Sequence, residues 1–149
     1  MDKGVIADFP VVDVRCVLID GSYHEVDSSE MAFAICGSMC FKEAFRKAKP
    51  ILLEPVMKVE INTPDEYIGD VVKDISRRRG SIGVMEKYRE GSQKIAVSVP
   101  LREMFGYATN LRNITSGRAS FSMEFSSYEP MPADILENTM KELAEKKQD

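Results

Sequence analysis

The sequence holds 149 residues, 44% hydrophobic and 30% charged, a globular composition that suits one ordinary domain or two small ones. No apolar run approaches the length of a membrane span, and the opening MDKGVIADFP lacks a basic segment followed by an apolar one, which excludes a secretory signal of the usual kind. A net charge of −4 and a pI of about 5.2 argue against a generic nucleic-acid binder, so any RNA contact must be local.

Residues 1–7 read as a frayed start. Residues 11–19 alternate, with Val12, Val14, Cys16 and Leu18 on one side and Val11, Asp13, Arg15 and Val17 on the other. That period of two predicts a strand with one mostly apolar face. Asp20–Gly21 signals a turn. Asp27, Ser28 and Ser29 each offer an N-cap, and Asp27 with Glu30 forms a capping-box-like pair. The helix that follows runs to about Ala48. Its expected apolar stripe is Phe33, Cys36, Met39, Cys40 and Phe45, widened by Ile35 and Phe41. Lys42, Arg46, Lys47 and Lys49 suit the negative end of its dipole, and Pro50 stops it.

A short strand is expected at residues 51–53, and Glu54–Pro55 reads as a boundary, because the residue before proline is driven from helical geometry. The pattern then restarts. Residues 56–61 predict a strand. Thr63–Pro64–Asp65–Glu66 predicts a helix start, with Thr63 as cap and Pro64 in the first turn. Tyr67, Ile68, Val71, Val72 and Ile75 form its inward face, Arg77, Arg78 and Arg79 fill its last turn, and Gly80 can take the left-handed position. Strands follow at 81–88 and 94–99 around a loop at 89–93. A helix is read at 101–112, with Met104, Phe105, Ala108 and Leu111 inward. The next strand is 119–127, with Phe121, Met123 and Phe125 on one face. The order β-α-β-β-α-β over 56–127 is the split-βαβ, ferredoxin-like motif. A last helix at 133–147 carries Ile135, Leu136, Met140 and Leu143, and its charged tail is expected to fray.

Three cysteines, Cys16, Cys36 and Cys40, form an odd set in apolar surroundings, which points to buried thiols in a reducing, cytoplasmic compartment. Cys36 and Cys40 lie one helical turn apart, with no further metal ligand near them in sequence. There is no G-x-x-x-x-G-K-[ST] loop, no HExxH, no CxxC and no GxSxG. The lone His24 has no neighbouring Cys or Ser that would make a nucleophile pair. Catalysis by this chain is not expected.

Three stretches carry a resemblance over nearly the whole chain: DGSYHEVDSSEMAF, LLEPVMKVEINTPDEYIGDVVKDISRRRG and LREMFGYATNLRNITSGRASFSMEF. They resemble the bacterial elongation factor G family, the ribosomal translocases. The first is similar to the tip segment of that family's domain IV, the others to its domain V. The resemblance implies an α+β chain with three parts. Residues 1–54 would be an incomplete strand-loop-helix-strand piece of domain IV, with a tip loop at 20–30. Residues 55–128 would be a ferredoxin-like domain V, and residues 129–149 a C-terminal helix returning to domain IV. It also implies GTP and Mg²⁺ in the full-length parent, a translational GTPase, and no cofactor or metal in this chain. The implied partners are the ribosome, with rRNA and proteins near the stalk base, and tRNA and mRNA in the decoding centre. No membrane partner is implied.

On that resemblance Ser22, Tyr23 and His24 match the tip that contacts tRNA and mRNA, and imidazole and phenol are suited to stack on or bond to nucleotides. The plainer reading of His24 is an exposed loop residue or a cap contact. Arg77, Arg78 and Arg79 are the rRNA-contact candidates, with Lys87, Arg89, Arg112 and Arg118 elsewhere in the same unit. The plainer reading there is a solvated face that complements the helix dipole. Residues 11–53 are too few to bury their own apolar surface, which implies an exposed face or edge open to self-association. The competing functions are a paralogue for ribosome recycling or protection, and a free-standing ferredoxin-like module that binds a small ligand or acts like an acylphosphatase. Ile61–Asn62–Thr63–Pro64 disfavours the last, because it is not glycine-rich and Pro64 has no N–H to donate.

Overall fold

The computed structural model describes residues 4–5 and 9–145. The expected fraying of the start falls largely outside them; of the charged tail at 142–149, residues 146–149 lie outside them and residues 142–145 are helical. The chain divides into two compact units, Met1–Leu52 with Pro132–Asp149, and Leu53–Met131. Among the described residues no helix is long and apolar enough to cross a membrane.

In the first unit the main element is helix α1, Glu30–Lys47. Of the three possible caps, Ser29 is the one used: its hydroxyl accepts the Ala32 N–H at 3.1 Å. Glu30 sits in the first turn, Arg46 and Lys47 in the last, and the chain leaves through Ala48 and a left-handed Lys49 before Pro50. The burial of α1 differs from expectation. Phe41 and Phe45, stacked at 5.8 Å, and Ser38 are half-buried, whereas Phe33, Ile35, Cys36, Met39 and Cys40 are exposed. At 100° per residue these two groups lie on opposite sides of the helix, so α1 has two apolar stripes, only one of which is covered. Cys16 is exposed too, which corrects the expectation of buried thiols.

The expected strand at 11–19 does not form. Residues 9–20 hold no strand, and Asp13 adopts a left-handed φ of 55° that interrupts the extended run. Alternation supplies an apolar face, but a strand exists only through a paired ladder, and this segment has none. Leu18 and Ile19 are 89% and 93% exposed. Helix α4, Ala133–Glu145, completes the unit, with Ile135, Leu136, Met140 and Leu143 half-buried and Thr139 donating to the Ile135 carbonyl at 2.8 Å.

The second unit is a four-stranded antiparallel sheet in the order β2-β3-β1-β4. Its strands are β1 Leu53–Pro64, β2 Ser81–Arg89, β3 Ser92–Pro100 and β4 Ser120–Pro130. Helices α2, Ile68–Arg77, and α3, Tyr107–Ile114, contribute to one core with the sheet. That core holds Val59 and Ile61 of β1, Ile95, Val97 and Val99 of β3, Val71 and Ile75 of α2, and Tyr107 and Leu111 of α3. The fold is α+β, with the βαββαβ order the hydrophobic pattern predicts.

Several boundaries move. Glu54–Pro55 is not a break: β1 runs through it, tolerating proline because Pro55 pairs only with Tyr128 of β4, one residue beyond the end of the β3 ladder. Thr63 is no helix cap. It is buried within β1, and Asp65–Tyr67 forms a 3-10 turn before α2, tied to the β2–β3 hairpin by the Asp65 N–H on the Gly91 carbonyl at 3.1 Å. The hairpin itself turns on Glu90–Gly91, with Gly91 at φ 73°.

The helix expected at 101–112 is split into a 3-10 turn, Leu101–Met104, and α3, because Gly106 sits at φ 72°. The split changes the phase, so Tyr107 replaces Phe105 and Ala108 in the core and Phe105 stands 80% exposed. On β4, Phe121 meets Tyr107 edge to face at 5.0 Å, while Met123 and Phe125 remain open.

Candidate functional site

Two surfaces carry the candidate residues. The first is the loop that leads into α1. His24 donates its backbone N–H to the Ser28 hydroxyl at 2.8 Å, and its carbonyl accepts from Ser28 N–H at 3.1 Å and Asp27 N–H at 3.4 Å. Asp20 accepts the Gly21 N–H at 2.7 Å. Ser28 thus closes the loop on His24 while Ser29 caps the helix, so a short turn is tied directly to a rigid element. The backbone of His24 makes these bonds and its ring does not. Tyr23 is 64% exposed, and Ser22, His24 and Val26 are exposed beside it.

The second surface is the end of α2. Its three arginines part company. The helix ends in a Schellman pattern: Gly80 N–H reaches the Ile75 carbonyl at 2.9 Å and Arg79 N–H the Ser76 carbonyl at 3.2 Å. The left-handed residue is Arg79, at φ 61°, not Gly80. Gly80 is needed for another reason, since a Cβ there would lie 2.4 Å from Ile75 Cγ2.

This geometry swings two side chains inward. Arg78 donates Nε to Asp74 at 2.9 Å and Nη1 to the Glu103 carbonyl at 2.5 Å, and it covers the Tyr107 ring at 5.2 Å. Arg79 forms a two-pronged pair with the buried Glu54, at 2.5 and 3.2 Å. Of the three, Arg77 is the exposed one, and it turns to a cleft between α2 and α3.

That cleft has a volume of about 340 Å³ and is lined by Asp70, Lys73, Asp74, Arg77, Asn110 and Ile114. Sequence reading missed it. The available signal was two acids and two bases within two turns of α2, Asp70 with Lys73 and Asp74 with Arg77, each pair three residues apart. One turn before Asn110, the buried Tyr107 hydroxyl has no hydrogen-bond partner. Burial first, then the Asp74 carboxylate, pushes its ionisation well above the ordinary tyrosine range, with Arg78 opposing.

The other basic residues are scattered. Arg118 holds Glu66 and donates to the Tyr67 hydroxyl at 2.5 Å, which raises its already high pKa. Arg89 lies over the Tyr88 ring on the edge strand β2, Lys87 shares that strand, and Arg112 is exposed on α3. Among the described residues, no three His, Cys, Asp or Glu side chains gather as a metal set.

Comparison with known proteins adds to this geometry. The family model for elongation factor G domain IV matches residues 1–49, and that for the elongation factor G C-terminus matches residues 51–139. A crystal structure of a protein from Thermus thermophilus superposes with a TM-score of 0.83 at 38% identity, covering 97% of this chain. The chain spans 22% of the length of that protein.

Proposed function

The chain belongs to the elongation factor G family, and from that premise we propose that it forms the ribosome-engaging arm of a translational GTPase that moves tRNA and mRNA. In this reading Ser22, Tyr23 and His24 meet the tRNA–mRNA pair in the decoding centre, and the Leu53–Met131 unit docks on large-subunit rRNA near the stalk base. GTP and Mg²⁺ act in another part of the parent factor, in the cytoplasm, and this chain supplies reach and docking.

The observation that carries the reading is the loop itself. A tyrosine and a histidine are held in solvent by a turn whose backbone bonds close on Ser28, at the capped start of an 18-residue helix. A loop that only joined two elements would have no need to present two aromatic rings to water from a fixed backbone; a probe for stacked nucleotides does. The docking role rests on Arg77 and Lys73, since Arg78 and Arg79 serve the fold.

The test is His24→Ala in the full-length factor, read by pre-steady-state kinetics. Translocation should slow by at least about tenfold, while GTP hydrolysis stays within about twofold, because in this reading the loop meets tRNA and mRNA and GTP is bound in another part of the factor. Equal loss of both rates would refute the assignment.

A further inference from the structure

The α2–α3 cleft has a composition that plain phosphate binding does not explain. We propose that it receives one unpaired RNA nucleotide, the base edge read by Asn110 and Asp70 and the phosphate held by Arg77 and Lys73. This rests on the reading of the unit as an RNA-docking domain and names what it docks on.

Three observations and one general property of RNA carry it. The first is size: about 340 Å³ admits a base with its ribose. The second is charge. Asp74 already holds Arg78 Nε at 2.9 Å, so the cleft is left with Lys73 and Arg77 against Asp70, a single positive charge in excess. A surface built only to track a backbone would omit the acid.

The third is hydrogen-bond chemistry. Asn110 offers a donor and an acceptor side by side, and Asp70 offers acceptors alone, which together suit the mixed edge of a base rather than a phosphate. Ile114 supplies an apolar wall and the Arg77 guanidinium a plane on which a ring can stack. The fourth is selection by exposure. A paired base in A-form RNA hides its edge in a deep, narrow groove, while a bulged base presents both edge and face.

The experiment uses the 149-residue chain and two RNA hairpins, identical except that one carries a single bulged nucleotide, with binding followed by fluorescence anisotropy across a salt series. The bulged hairpin should bind about tenfold tighter. Asn110→Ala should erase that preference while leaving affinity for the plain hairpin within about twofold. Asp70→Asn, which keeps the side-chain shape, should lower the preference and change which bulged base is favoured. Arg77→Ala should weaken both hairpins and lessen the salt slope.

Equal, salt-dependent binding of the two hairpins would overturn the base notch and leave the docking reading standing. A preference that survives both Asn110→Ala and Asp70→Asn would overturn it as well. Failure of either hairpin to bind at the lowest salt would remove both.

Discussion

Tyr107 shows how one side chain ties packing to a measurable response. Its ring fills the core between Phe121 and Arg78, at 5.0 and 5.2 Å, yet its hydroxyl is buried without a partner. Deprotonation would place a charge where burial and Asp74 both oppose it, so the folded pKa is raised above that of the unfolded chain. For a group shifted this way, the stability it supplies is fully present below the unfolded value, about pH 10, and is lost as pH climbs toward the folded value. Wild-type stability should therefore fall by up to about 1.4 kcal/mol per pH unit above about pH 10 relative to Tyr107→Phe. Near neutral pH the variant should unfold within about 0.5 kcal/mol of wild type, since it removes a hydroxyl that bonds to nothing. Denaturant melts at about pH 7 and about pH 11 check both halves; a large loss at the lower pH would mean the hydroxyl is satisfied after all. The neighbouring arginines mark the limit of sequence reading at this scale. Their density in RRRG was legible, but their division of labour was not, because Glu54 and Glu103, which draw Arg79 and Arg78 inward, each lie 25 positions from the arginine they hold.

At the scale of the element, period was a good guide and pairing was not. Residues 94–99 follow an alternation that survives in β3, and residues 56–61 one that survives in β1 from Val59 on, after a bulge between Val56 and Met57 shifts the buried side by one residue; both strands are central and their inward side is sealed by α2 and α3. Residues 11–19 alternate just as well and form no strand, because period specifies a face and says nothing of a partner. The helix at 101–112 failed differently: Gly106 was read as an interior residue when its left-handed φ ends one helix and starts another. Gly80 gives the sharpest test of element-level packing. It needs no unusual φ, so a conformational argument alone would allow alanine. The approach of Ile75 forbids it, with Cγ2 at 2.4 Å and the carbonyl oxygen at 2.8 Å from the added Cβ. The carbonyl is fixed by the helix it ends, and the Ile75 side chain is fully buried, so neither gives way cheaply. Gly80→Ala should cost about 1–3 kcal/mol and lower the melting temperature, whereas Gly69→Ala, with open space around its Cβ position, should hold or raise it.

For the whole molecule, the two units differ in how well each satisfies its own apolar groups. The Leu53–Met131 unit has a continuous core with nine residues at 3% exposure or less, from Val59 to Leu111. In the other unit no residue of α1 is fully buried, the stripe of Phe33, Met39 and the two cysteines is open, and Val17, Leu18 and Ile19 face solvent. Apolar surface of that kind binds hydrophobic dyes and pairs with other chains, and backbone without ladder bonds exchanges its amide hydrogens quickly. The 149-residue chain should therefore enhance dye fluorescence at neutral pH without denaturant, and its sedimentation should depend on concentration. Hydrogen exchange should separate the units: amides of β1 and β3 protected to near the global unfolding free energy, those of residues 9–20 scarcely protected. Substituting Leu18 and Ile19 by serine should reduce dye binding while leaving β1 and β3 protection unchanged, because those side chains contribute nothing to the core of the Leu53–Met131 unit. Strong protection across 9–20 together with monomeric sedimentation and no dye signal would show that the segment finds a partner within the chain, and the open stripe on α1 would then be the first place to look for it.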